Sequence, residues 1–172
     1  MGEVTANSYP PTEWASACRI QKIEAQEAYG SGVACLAMVT GQDYSSARQA
    51  FVKAGLAQRR GGKVGLSTNM AEMSAVITIG GLANTPRKWA GWNQFRGLGI
   101  IKIRYRTEGR DRWYWAVAFT HREYGVVLFD PHDSLPSFRC APMDVLMHEF
   151  DKYEVVGKWL QVENIHAVDD DA

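Results

Sequence analysis

The spacing of apolar residues changes its period partway along this chain, and that change limits the fold more than any other feature. Up to about Gly81 the apolar positions recur at helical intervals. Ser31 to Thr40 is apolar almost all round through Val33, Ala34, Leu36, Ala37 and Met38, so it reads as a buried central helix ended by Gly41. A second helix, capped by Asp43 or Ser45, runs to about Ala54 and stops at Gly55. It has an apolar stripe of Tyr44, Ala47, Phe51 and Val52. Gln58 to Gly65 reads as a loop. A third helix, from about Thr68 to Ile79, starts with an Asn69/Glu72 capping box. Beyond Ile100 the period becomes two. Ile101, Ile103 and Tyr105 alternate with Lys102, Arg104 and Arg106, which predicts a strand with one wet face. Trp113, Trp115, Val117 and Phe119 alternate with Tyr114, Ala116 and Ala118. Val126 to Phe129 is a short buried strand ending at Asp130-Pro131, Pro142 opens a helix to about Phe150, and a last strand spans Val155 to Val162. Helices first and an antiparallel meander second predict an α+β fold, in which N-terminal helices, one of them central and buried, pack on a C-terminal antiparallel sheet.

The 172 residues suit one domain, with 1–15 as an extended arm and 166–172 as an acidic tail. Lysine plus arginine and aspartate plus glutamate number 19 each, so the net charge of zero supplies no global attraction to nucleic acid or to an anionic membrane. Local basic clusters at Arg59-Arg60 and from Lys102 to Arg112 read as solvated faces. The sequence has no apolar run long enough to span a membrane and no recognisable signal peptide, which predicts a cytoplasmic protein or one assembled into a larger particle. Cys18, Cys35 and Cys140 have no metal-knuckle spacing and read as reduced thiols, Cys35 being a small buried hydrophobe. No metal or cofactor is expected.

Chemistry concentrates at Gly30-Ser31-Gly32. Small residues lead into the buried helix, and Ser31 places a nucleophilic atom in its first turn, where backbone N–H groups and the helix dipole favour negative charge. A thiol there ionises readily, whereas a hydroxyl gains much less. The plainer alternative is that Ser31 is an ordinary N-cap that accepts a local backbone N–H.

Gln26, then Ser31-Gly32-Val33-Ala34-Cys35-Leu36-Ala37-Met38, then Tyr114 through Phe119, a hairpin over Thr120 to Gly125, and Val126 through Asp130-Pro131 follow one another in an order that resembles the double-glycine (bacteriocin-processing) peptidases of the papain-like cysteine-peptidase superfamily. In that family the helix motif reads Cys-Gly-x-Ala-x-Leu-x-Met and a histidine opens the apolar strand. The resemblance spans most of Gln26 to Val162. It implies a papain-like fold, with the nucleophile position at Ser31, the general base at Tyr114, the orienting acid at Asp130 and the oxyanion hole at Gln26. The spacing of Gln26 to Ser31 is about one residue short of the family's usual gap. Gly30, Gly32, Trp113, Trp89 and Trp92 are expected at the substrate, the last two as a lid or as packing under a loop, and Trp113 with Trp115 on a core-facing strand.

Two of the four catalytic positions depart from the pattern. A phenol, with an ordinary pKa of about 10, does not accept a proton at neutral pH as an imidazole does. Losing the thiolate and the base together removes most nucleophilic catalysis. Of the other histidines, His121 lies at the far end of the hairpin, roughly 20 Å along the strand from Tyr114. His132 is nearer the expected cleft, and His148 and His166 are expected at the surface. Three readings follow. The first is a catalytically impaired papain-like protein, bacterial or phage, that binds a peptide or protein partner. The second is a cysteine peptidase, hydrolysing amides through a thiol, whose nucleophile is replaced here by variation or engineering. The third is a structural component of a phage or secretion machine. Oligomeric state is not encoded in any of these features.

Overall fold

A computed structural model of the chain describes residues 18–105, 112–122, 125–133, 137–139 and 153–163. The expected arm, acidic tail and Pro142 helix, together with Cys140, His148 and His166, lie outside these residues.

Three helices come first. Helix α1, Ser31–Thr40, starts at Gly30 and ends at Gly41, whose φ of 72° closes it in the left-handed conformation that glycine adopts without a Cβ penalty. Its residues Ser31 to Met38 are all buried, as a helix apolar on every side requires. Helix α2, Tyr44–Lys53, is capped by Asp43, whose side chain accepts from Ser46 N at 2.7 Å. Its buried stripe is Tyr44, Ala47 and Phe51, while Val52, expected in that stripe, is exposed. Helix α3, Met70–Ile79, has the expected capping box: Asn69 accepts from Glu72 N, and Glu72 accepts from Asn69 N.

The second half forms one sheet. Its strands are β1 (Asn84–Lys88), β2 (Leu98–Tyr105), β3 (Trp113–His121), β4 (Gly125–Phe129), β5 (Ser137–Arg139), β6 (Tyr153–Val155) and β7 (Lys158–Val162). Their order is β1-β7-β2-β3-β4-β5, with β6 also paired to β2, and every pairing is antiparallel. The observed fold is α+β, as expected from the change in apolar period.

The sheet differs from the expectation in three places. Asn84–Lys88, read from the sequence as irregular, is an edge strand. Pro86 is tolerated there because an edge residue need not donate to a further neighbour. The single last strand expected over Val155 to Val162 is two strands, β6 and β7, separated at Val156-Gly157, where Gly157 has a φ of 67°. Both lie along β2, β7 at Leu98 to Ile100 and β6 at Ile103 to Tyr105. Finally, β2 has no wet face. Leu98 and Ile100 are buried on the helix side, Ile101 and Ile103 on the far side, and Lys102 and Arg104 are only partly exposed.

Alternation within the strands sorts the core into two layers. Leu98, Ile100, Trp115, Val117, Phe129 and Leu160 face the helices and pack with Val33, Leu36, Phe51 and Met73. Ile101, Ile103, Ala116, Ala118, Leu128 and Trp159 form a second cluster behind the sheet. A fully buried side chain such as Phe51 contributes about 1.5–3 kcal/mol by leaving water. Ala116 and Ala118 are the small face of β3 expected from its sequence. At Gly99 a Cβ would fall within 3 Å of the Trp159 and Phe95 rings, so the aromatic layer sits directly on bare backbone. Among the described residues no helix is long and apolar enough to cross a membrane.

Candidate functional site

The β3–β4 ladder begins at Val117↔Phe129. Ahead of that point β3 runs on as Trp113 to Ala116 with no strand on that edge among the described residues, and the N-terminus of α1 approaches it there. The Trp115 N–H donates to Ser31 Oγ at 3.1 Å, joining positions 84 residues apart. Ser31 is the first residue of the helix and Gly30 takes the cap position without a side-chain bond, so Ser31 Oγ accepts a distant backbone N–H in place of the local one an N-cap would accept. Gly32 shows why this turn is built from small residues: a Cβ there would press on Trp115 Cδ1 at 3.3 Å and Thr68 Oγ1 at 3.4 Å. The Trp115 ring is held by its Nε1–H, which donates to Thr68 Oγ1 at 2.9 Å.

Asp130 lies where β4 ends, 2% exposed. Its Oδ2 accepts from Tyr114 OH at 2.9 Å and from Tyr153 OH at 2.7 Å, and its Oδ1 accepts from His132 N at 2.8 Å. Burial, followed by the adjacent Asp130 charge, pushes the Tyr153 phenol well above its usual range, so it stays a donor. Burial and then Asp130 likewise raise the Cys35 thiol, which keeps it an inert neutral group inside α1. Lys22 Nζ is buried with no hydrogen-bond partner among the described residues. Burial lowers its pKa, while Asp130, Glu24 and Asp133 oppose that shift.

A cleft of about 630 Å³ opens over these groups. Ser31, Tyr114 and Asp130 line it together with Trp113, His132 and Arg112. One wall is the stretch Leu66 to Thr68, where Leu66 has a φ of 70°. Arg60 secures that wall by donating to Leu56 O and Ser67 O, both at 2.7 Å, and by pairing with Glu72 at 2.9 Å, so it is not the solvated charge its sequence context suggested. The other wall carries Tyr29, a second non-glycine residue in the left-handed region, with a φ of 67°. Such a conformation costs on the order of 1–3 kcal/mol and persists where the surroundings over-determine it. Here Glu27 provides the anchor. It accepts from Tyr44 OH at 3.0 Å and Arg48 Nε at 2.7 Å, while its carbonyl accepts from Gly30 N at 3.1 Å.

Of the residues expected at the site, Ser31, Tyr114, Asp130 and Trp113 come together in the cleft. Gln26 does not: its side chain is exposed and does not line the cleft, because the residue pinned beside the Asp130 turn is Ala25, whose N–H donates to Pro131 O at 3.0 Å. Trp89 and Trp92 are not a lid. They stack edge to face at 4.9 Å and join Phe95 in the cluster behind the sheet. Gly30 and Gly32 shape the turn from beneath and line no part of the cleft. Tyr153, Thr68, Tyr29 and Arg112 belong to the site but carry no sequence signal, since each reaches it only through tertiary packing.

Among the described residues the hydrogen-bond partner of Ser31 Oγ is the Trp115 N–H, a donor that cannot take the hydroxyl proton. The Tyr114 phenol donates toward Asp130. His132 stacks edge to face on Tyr114 at 4.6 Å. Although part of the ring reaches solvent, desolvation by the surrounding chain is the main cause holding its pKa below 6.5; Asp130 opposes the shift, and Arg112 and Lys22 add to it. A base with a depressed folded pKa contributes stability that is complete above its unfolded value and is lost as pH falls through its folded one. The His132 ring is therefore expected to titrate with a midpoint below 6.5 by NMR. His132→Gln should flatten the loss of stability between pH 7 and pH 5, and a midpoint above 6.5 would contradict the assignment. No group of three His, Cys, Asp or Glu side chains among the described residues is arranged to hold a metal ion.

No protein-family profile and no curated protein matches the sequence. Solved structures do match. A double glycine motif protease from an AMS/PCAT transporter, in complex with the leader peptide, superposes with a TM-score of 0.55 at 18% identity, over 86% of this chain and 93% of the other. The peptidase domain of Streptococcus ComA, a bi-functional ABC transporter involved in a quorum-sensing pathway, gives 0.54 at 14% identity, over 83% and 97%. Three helices packed on an antiparallel sheet are thus the papain-like fold shared with the double-glycine peptidase domains of ABC transporters.

Proposed function

We propose that this domain binds a peptide in the cleft over Ser31 and does not cleave it. The observation that carries this reading is the bonding of the nucleophile and base positions. Ser31 Oγ is engaged by the Trp115 N–H, and the phenol at Tyr114 is committed to Asp130, while the cleft beside them stays open at about 630 Å³. A hydroxyl without a base remains a neutral alcohol. The structural neighbour solved with a leader peptide supports an extended peptide as the ligand class, and the double-glycine peptidases suggest a segment ending in two small residues. Trp113, half-buried on the cleft floor, supplies an aromatic contact of the kind that anchors peptide interfaces. The free, buried Cys18 and Cys35 agree with action in the cytoplasm or inside a particle assembled there.

The test is fluorescence anisotropy with labelled peptides of about a dozen residues containing Gly-Gly, followed by mass spectrometry of the same samples. Saturable micromolar binding, weakened at least ~5-fold by Trp113→Ala, with peptides intact after a day, is the expected result. Turnover would replace this reading with that of an active enzyme. Absence of binding to any peptide would sink it.

A further inference from the structure

The cleft is electrostatically lopsided. Its two carboxylates, Asp130 and Asp133, sit on one turn and both act on the buried Lys22, and the oxygens of Asp130 are occupied by Tyr114, Tyr153 and the His132 N–H. The other side is cationic and aromatic. The Arg112 guanidinium lies 3.8 Å from the centroid of the Tyr29 ring, and both residues line the cleft. Behind this lining, Lys102 Nζ stands 4.7 Å from the ring of Trp113 and 5.5 Å from that of Trp115, both cleft residues. Among the described residues neither Arg112 nor Lys102 is paired with a carboxylate, whereas Arg48, Arg60 and Lys63 elsewhere each have a glutamate. The first turn of α1, opening into the same cleft, contains no acidic residue.

We propose that Arg112, held against Tyr29, is a carboxylate-reading subsite of this cleft, and that the bound peptide places either an acidic side chain or its own C-terminal carboxylate there. This deepens the binding reading above and rests on it. Stacking on Tyr29 orients the planar guanidinium and leaves its N–H fork free to meet a carboxylate with two parallel hydrogen bonds. Lys102 raises the local positive potential without competing for the same oxygens, since its charge is directed at the indole faces. The conformation of Tyr29 gains a purpose on this account: a left-handed backbone at that position turns the ring into the cleft beneath the guanidinium.

The probe is a set of labelled Gly-Gly peptides prepared as C-terminal acid or amide, each with glutamate or glutamine scanned through the remaining positions. Anisotropy is read at low and high salt. One or more acidic members should bind at least ~10-fold more tightly than the matched neutral peptide, with the gap narrowing in high salt. Arg112→Gln should reduce that gap to under ~2-fold by weakening the acidic peptides far more than the matched neutral ones, and Arg112→Lys should retain part of it. Loss of preference on amidation assigns the C-terminal carboxylate; loss on Glu→Gln assigns the side chain. Equal binding of acidic and neutral peptides overturns the subsite while leaving peptide binding intact. So does an Arg112→Gln variant that weakens both sets alike. Failure of every peptide to bind overturns the underlying reading as well.

Discussion

Asp130→Ala is expected to lower the stability of the domain by about 3–6 kcal/mol, on the basis that each buried hydrogen bond to a charged acceptor contributes about 1.5–3 kcal/mol and two phenols share this one. The effect is large because the loss is asymmetric. Tyr153, 3% exposed, would keep its hydroxyl in the interior with no acceptor, and Lys22 would lose the carboxylate nearest in effect to its buried ammonium. For a chain of this length the change corresponds to a fall of roughly 6–24 °C in melting temperature. A double-mutant cycle separates the hub from general damage. Tyr153→Phe removes the orphaned hydroxyl, so Asp130→Ala should cost clearly less in that background, by more than ~1 kcal/mol. Additive losses would show that Asp130 and Tyr153 do not act as a unit. Asp130 in this protein thus serves the fold as a junction between β3, β4 and β6, whatever else the cleft does.

The second large effect concerns the reactivity of position 31. Ser31→Cys together with Tyr114→His should react with a thiol-directed electrophile at pH 6 at least ~30-fold faster than Ser31→Cys alone, with a rate profile whose midpoint falls below 7. The physical basis is already in place. The first turn of α1 carries no acid, the Trp115 N–H points at the side-chain atom of residue 31, and Asp130 would accept from an imidazole at 114 as it does from the phenol. The single variant lacks a proton acceptor and lies in a position only 4% exposed, so it should label no faster than an ordinary free thiol. Fast labelling in the double variant alone would support descent from a working peptidase that has lost both nucleophile and base, whereas fast labelling already in Ser31→Cys would favour the reading in which only the nucleophile was replaced. Equal, slow labelling in both would mean that residues 31 and 114 never formed a nucleophile–base pair in this geometry. Peptide binding would then have to stand on the cleft alone.

How much of this was legible beforehand differs element by element. The helices were readable nearly to the residue, because their signals are local: the apolar run Val33 to Met38, the Gly41 stop, the Asp43 cap and the Asn69/Glu72 box each act within one turn of the chain. The same holds for β3, read from its alternation, and for β4, read as a short apolar run ending at Asp130-Pro131. β1 was not readable, since Asn84 to Lys88 is polar and contains proline, and becomes a strand only by borrowing the hydrogen-bonding edge of β7. The two-part β6–β7 edge was missed for a related reason. Val155 to Val162 is apolar enough for one strand, and only the pairing along β2 reveals the break at Gly157.

The site divides along the same line. The sequence by itself determined that a small-residue turn with a hydroxyl would open the buried helix and that a short strand would end at Asp130-Pro131, because apolar runs and their glycine or proline ends are local signals. That Tyr114 and Asp130 belong with Ser31 was implied only by the resemblance to the double-glycine peptidases. Only the tertiary structure decided what those groups do to one another. It spent the Ser31 hydroxyl on Trp115, gave Asp130 a second phenol from Tyr153, turned Gln26 outward, sent Trp89 and Trp92 behind the sheet and stacked Arg112 on Tyr29. Each of these contacts joins segments far apart in sequence, or depends on where a loop enters the cleft, and neither is encoded in any local pattern of residues.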